Sequence, residues 1–213
     1  FGGTGKNIRI GGNAHVTAFG SEGAAIGGGT TGGNSITITD DAVVDAYGTW
    51  GSAIGDGGLH YNWDSSATTI PTTDITISGN ATVKAETSQM SSAIGAGQHG
   101  SANNLTIDIK ENAKVTAIGS LDSPAIGNRS CERGTTTINI TGGTVNAINS
   151  YGSDYPEYPD DGTGDHSPAI GANISSTNSG TCNVNIDSST GDTVVNAYIY
   201  GKGSGTAVGS TST

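Results

Sequence analysis

The sequence predicts an all-β fold, a parallel β-helix of about six coils with three short strands in each coil. Three observations predict it. First, the tripeptide Ala-Ile-Gly recurs at Ala25-Ile26-Gly27, Ala53-Ile54-Gly55, Ala93-Ile94-Gly95, Ala125-Ile126-Gly127 and Ala169-Ile170-Gly171, with Ala207-Val208-Gly209 as a sixth copy. Second, each copy is preceded by a pair of aliphatic residues two places apart: Ile8/Ile10, Ile36/Ile38, Ile75/Ile77, Ile107/Ile109, Ile138/Ile140 and Val184/Ile186. Third, a Val-x-Ala stands between the two in every repeat: Val16/Ala18, Val44/Ala46, Val83/Ala85, Val115/Ala117, Val145/Ala147 and Val195/Ala197. A coil without insertion runs about 28 residues, from Ile26 to Ile54, which lies in the period range of solenoids.

Each signal has a physical reading. Alternating β-branched residues make a half-buried strand, because side chains two apart point to the same face. Gly11-Gly12-Asn13, Asp40-Asp41, Gly79-Asn80 and Gly142-Gly143 separate the first strand from the second and read as tight turns. The Ala of the second and third signals suits a narrow part of the interior, and the Gly after each Ile suits a corner needing positive φ or a close backbone approach. One coil cannot bury its few aliphatic side chains alone. Coils stacked about 4.8 Å apart can, by placing like over like. A propeller blade needs four strands and about 40 residues, more than these coils hold. The right-handed sense is expected from the rule for crossovers between parallel strands.

Taken in order, coil one covers about residues 6–33 and is compact. Coil two closes at Ala53-Ile54-Gly55 and is followed by an insertion, about 56–73, that contains Leu59-His60-Tyr61-Asn62-Trp63-Asp64. Coils three and four are compact. Coil five carries a second insertion, about 149–167, between its Val-x-Ala and its Ala-Ile-Gly. Coil six ends the repeat. One pattern throughout means a single β-solenoid domain, 1–213. With Phe1 at its start and no polar cap on its first or last coil, it reads as a fragment of a longer chain.

Composition excludes several classes of function. A formal net charge of −11 disfavours nucleic acid and anionic membranes as partners. No run of 18 apolar residues spans a bilayer. Gly is abundant, at 36 residues, and charge is sparse, as in some disordered chains, but the in-register aliphatic ladders argue for a packed interior. The two cysteines, Cys131 and Cys182, each lie between an Ala-Ile-Gly and the next first strand, in consecutive coils, so that one corner of the solenoid could bring them together, although their offsets from the following strand differ. Two readings stand: a disulfide, which fits a secreted protein, or two free thiols.

Candidate ligand contacts concentrate in the insertions, since repeat folds carry function on protruding loops. Tyr61, Trp63, Tyr155 and Tyr158 are rings able to stack on the apolar face of a sugar, and Asp64, Asp160 and His166 are polar neighbours able to hold hydroxyls. Asp154, Glu157, Asp160, Asp161 and Asp165 make an oxygen-rich loop that could take calcium; the spacing is not that of an EF-hand, and a solvated acidic loop is the simpler reading. No other cofactor is indicated. A further column consists of Phe19, Tyr47, Glu86, Ile118, Ile148 and Tyr198, each of which follows a Val-x-Ala. Strict alternation points them outward as an interaction stripe. A corner at this place would instead pack them inside, and that is the expected arrangement.

Catalysis finds thin support. The eight Lys and Arg include Lys84 and Lys114 in nearly stacked places, but no acidic cluster shares their face. Ice binding needs one regular outward column of Thr. The outward columns are interrupted by charge at Arg9, Asp45, Lys84 and Asp108.

The unit Ile-x-Ile, Gly-Gly, Val-x-Ala, Ala-Ile-Gly, seen for example from Ile8 to Gly29 and from Ile36 to Gly58, resembles the Gly-rich repeats of bacterial surface and secreted proteins. The resemblance covers essentially the whole chain. It implies a parallel β-helix at the cell surface or in the medium, of carbohydrate-binding or adhesin-like type, with a polysaccharide or cell-surface glycan as partner. It carries over no catalytic residue. The expected function is therefore non-catalytic glycan binding. The rivals are a structural spacer or filament subunit that self-associates through its coil ends, and a β-helix polysaccharide lyase or glycosidase.

Overall fold

The structure is a computed structural model. It describes residues 7–29, 33–57, 72–97, 104–120, 123–129, 131, 134–150, 167–174, 180–200 and 206–212. Every regular element among them is a strand. Coil one comprises β1 (Asn7–Ile10), β2 (His15–Phe19) and β3 (Ile26–Gly27), and coil two β4 (Ser35–Ile38), β5 (Val43–Gly48) and β6 (Ile54–Gly55). Coil three comprises β7 (Thr72–Ile77), β8 (Thr82–Thr87) and β9 (Ile94–Gly95), and coil four β10 (Asn104–Ile109), β11 (Lys114–Ser120) and β12 (Ile126–Asn128). Coil five comprises β13 (Thr135–Ile140), β14 (Gly143–Ser150) and β15 (Ile170–Ile174), and coil six β16 (Thr181–Ile186), β17 (Thr193–Tyr200) and β18 (Val208–Ser212).

The first strands of the six coils form one sheet, the second strands another and the third strands a third, each of six strands. All pairings are parallel and keep the repeat in register, as in Ile36↔Ile75, Ala46↔Ala85 and Ile54↔Ile94. This is the three-sided parallel β-helix expected from the repeats. Its interior is the stack of aliphatic ladders. In coils two to five Ile38, Ile77, Ile109 and Ile140 are fully buried, as are Ile54, Ile94, Ile126 and Ile170. Ala46, Ala85, Ala117 and Ala147 are equally buried, where a larger side chain would meet the facing ladder. In coil one Ile26 is still buried but Ile10 and Ala18 are only partly covered, and in coil six Ala197 and Val208 are partly covered and Ile186 is 46% exposed.

The corner glycines explain why the third signal never varies at its last residue. Gly95 and Gly127 both have φ near +136°, a region closed to side chains. A Cβ on Gly95 would overlap the carbonyl oxygen of Gly127, and one on Gly127 would overlap that of Gly171. The coils approach backbone to backbone here. At the other corner Asp40 and Glu111 take positive φ without being Gly. Their carboxylates accept the backbone N–H of Gly12 at 2.8 Å and of Gly79 at 2.7 Å, one coil back, which offsets the strain.

At the edges of the two insertions, Asp56, Gly57, Thr72 and Thr73 belong to the rod at one site, and Asn149, Ser150 and Ser167 at the other. One expectation is corrected. The column Phe19, Tyr47, Glu86, Ile118, Ile148, Tyr198 does not pack inside. Alternation continues through it, so Val44 and Ala46 are buried whereas Val43, Asp45 and Tyr47 face out. The chain turns inward one residue later, at Gly48 and Gly119 in coils two and four, where a Cβ would strike the backbone of the next corner.

Candidate functional site

The outer surface of the second sheet carries three columns, each set by the register of β2, β5, β8, β11, β14 and β17. The first reads His15, Val43, Thr82, Lys114, Thr144, Val194. The second reads Thr17, Asp45, Lys84, Thr116, Asn146, Asn196. The third is the stripe Phe19, Tyr47, Glu86, Ile118, Ile148, Tyr198, with Tyr200 extending it in the last coil. From Phe19 to Tyr198 the stripe crosses five coil spacings, about 24 Å.

The stripe is exposed at its two aromatic ends. Phe19 is 77% exposed, Tyr198 46% and Tyr200 57%. The Phe19 and Tyr47 rings stack with centroids 5.1 Å apart and planes 13° from parallel. Lys84 Nζ lies 5.5 Å from the centre of the Tyr47 ring and 3.2 Å from Glu86 Oε2. Its hydrogen bond to Glu86 raises its pKa, partial burial works against that, and the charges of Glu86, Tyr47 and Asp45 add to it. Lys84 is therefore a cation at neutral pH. The Tyr198 and Tyr200 rings sit 6.2 Å apart at 20°. Beside them Asn196 Nδ2 donates to Asn146 Oδ1 at 2.9 Å. The face therefore sets apolar and aromatic surface beside hydroxyl, amide and carboxylate groups on a six-stranded parallel sheet.

A second polar group is buried. Asp56, placed by the sequence reading at the start of the first insertion, is 1% exposed at the corner leaving coil two. Its Oδ1 accepts from Asn34 Nδ2 at 3.0 Å and from Thr73 Oγ1 at 2.7 Å, and its carbonyl accepts from Ser52 Oγ at 2.6 Å. In coil four Asn128 takes the same place and donates to Thr136 Oγ1 at 3.4 Å. Asp56 thus ties one coil's third strand to the next coil's first. Asp56→Ala is expected to lower the urea-unfolding free energy by about 2 kcal/mol, because the Asn34 amide and Thr73 hydroxyl lose their acceptor inside the protein. Asp56→Asn should recover part of that.

The residues singled out in the insertions, Tyr61, Trp63, Asp64, Tyr155, Tyr158, Asp160 and His166, lie outside the described residues. So do the calcium candidates Asp154, Glu157, Asp160, Asp161 and Asp165. Among the described residues no group of three or more His, Cys, Asp or Glu is placed to hold a metal ion. The anchors of the second insertion, Ser150 and Ser167, lie where the second sheet gives way to the third, beside the stripe. Lys84 and Lys114 both face out but pair with Thr116 and Thr82, two residues out of step with each other. Cys131 and Cys182 are free thiols. No family model, no curated protein and no solved structure matches this chain.

Proposed function

We propose that this chain is a non-catalytic extracellular β-helix, of the Gly-rich surface-repeat kind, that binds a glycan on the outer face of its second sheet. The observation that carries the reading is the outward-facing stripe from Phe19 to Tyr198, exposed at its aromatic ends, beside the polar column from Thr17 to Asn196. Sugars present apolar C–H faces and a rim of hydroxyls. Aromatic rings, aliphatic side chains and amide or carboxylate groups in adjacent columns match both parts. The face is shallow, so affinity should be in the micromolar to millimolar range and should grow with the number of sugar units in contact.

A glycan array read with the wild type, with Tyr47→Ala and with Tyr198→Ala tests it. Each substitution is expected to weaken binding about tenfold. Unchanged binding by both variants overturns the assignment of this face. Loss confined to Trp63→Ala and Tyr155→Ala moves the site to the insertions instead.

A structural rod is the second reading, and a different observation favours it. Ile8, Ile10, Val16 and Ala18 of coil one and Ile186 of coil six leave the apolar interior partly open at both ends of the stack. Another coil or another copy could continue the ladders there. Light scattering over a concentration series separates the readings: particles that lengthen with concentration support the rod, and a constant monomer mass opposes it.

A further inference from the structure

Cys131 follows β12 at the corner that leads from coil four into coil five, and Cys182 is the second residue of β16 in coil six. The two are fifty-one positions apart in sequence (182 − 131). The coil stack nevertheless brings them to one spot. The Cys131 backbone N–H donates to the Asn173 carbonyl at 2.9 Å, on the strand that leads toward β16. Its Sγ lies 3.6 Å from the carbonyl oxygen of Thr181, the residue bonded to Cys182. Thr136 Oγ1 lies 3.8 Å from the same sulfur, and Thr136 is the register partner of Cys182. The positions that share this column, Thr73, Leu105 and Thr136, point inward and are buried, so the Cys182 side chain projects over Thr136 toward Cys131. Gly180 passes so close that a Cβ there would collide with the Cys131 carbonyl and press on its sulfur. Nothing in the repeat requires cysteine at the Cys182 position, since coils three to five fill that column with Thr or Leu.

We propose that Cys131 and Cys182 are an oxidation site of the folded protein: a low-molecular-weight disulfide converts them to an intrachain bridge that clamps coil six onto the coil before it. Cys182 is partly accessible and Cys131 is buried, which sets the order of events. The Cys182 thiolate attacks one sulfur of the external disulfide, whose S–S bond breaks, and one small thiol leaves. The Cys131 thiolate then attacks the Cys182 sulfur and expels the second small thiol. The two protein thiols give up two protons and two electrons in all, and the external disulfide takes up both. Burial pushes both thiols upward, Cys182 to about 11, with the nearby Cys131 charge adding to the latter. The exchange is therefore slow at neutral pH. The bridge does not depend on the glycan reading.

The test incubates the folded chain with oxidised glutathione at about pH 9, where more of each thiol is ionised. Free thiols are then blocked under denaturing conditions and the peptides mapped by mass. The expected product is a monomer with a peptide linked through Cys131 and Cys182. Its melting temperature should lie roughly 10 °C above that of the reduced chain, a difference abolished by dithiothreitol. Cys131→Ser should accumulate glutathione on Cys182 without resolving it. Two blocked thiols, a glutathione adduct that persists in the wild type, covalent dimers, or a bridge that leaves melting unchanged would each overturn the proposal.

Discussion

Gly95→Ala is expected to lower the unfolding free energy by about 4 kcal/mol or more, among the largest effects of any single substitution in this chain. Two costs combine. Gly95 has φ of 136°, where a Cβ is strained. That Cβ would also overlap the Gly127 carbonyl oxygen on the next coil. Neither atom can step aside, because both belong to backbone fixed by neighbouring strands, as in the bonds from Ile94 N to Ala125 O and from Ala96 N to Gly127 O. Relief requires prising two coils apart. Gly12→Ala separates the two costs: Gly12 has φ of 63° but nothing within 4 Å of a new Cβ. It should lose only about 1 kcal/mol. Urea unfolding of both variants checks the ranking, and equal effects would mean that coil-to-coil contact contributes nothing at the glycine ladder.

Ile107→Ala is expected to cost about 4 kcal/mol. Ile107 is fully buried between Ile75 and Ile138 on the adjoining coils. The facing groups sit on paired strands and can close the resulting cavity only slightly. Ile8→Ala, at the same column in coil one, should cost roughly half as much, because Ile8 is only partly buried and its removal leaves a void open to water. The ratio is measured from the same unfolding curves. A larger loss at Ile8 than at Ile107 would contradict a continuous interior.

The strands, their parallel pairing and their register were legible because one aliphatic pattern recurs in every coil, and a solenoid has few other ways to bury it. The role of the Ala-Ile-Gly glycine was legible for the same reason. The direction of the stripe was not. Gly48 and Gly119 mark the true corner, one residue after Tyr47 and Ile118, but coils three and five place Thr87 and Asn149 there instead. Those two side chains turn inward and are held by bonds to Thr49 O at 3.3 Å and to Ser167 O at 2.8 Å. With glycine in only some copies, the corner could not be fixed from the repeat alone. The structural role of Asp56 was not legible either, because its partners Asn34 and Thr73 are distant in sequence and are brought beside it only by stacking. The approach of the cysteines was half legible: the repeat puts both between a third strand and the next first strand, but their different offsets left a disulfide and free thiols equally open, and only the coil geometry places Cys182 within β16 with Thr181 against the Cys131 sulfur. The rings and acids of 58–71 and 151–166 belong to no repeat, and periodicity says nothing of them.

The most direct measurement of the outward, in-register stripe uses paired cysteines on it. Ile118→Cys and Ile148→Cys are register partners facing solvent on adjacent coils. They would be introduced together into a chain in which Cys131 and Cys182 are serine. Adjacent paired strands, about 4.8 Å apart, are within bridging distance of a disulfide. The account predicts rapid cross-linking of the folded double variant under mild oxidation, and rapid maleimide labelling of each single variant without denaturant. Thiols that stay silent until the protein is unfolded, or that bridge no faster than Ile118→Cys with Asn196→Cys two coils away, would contradict it.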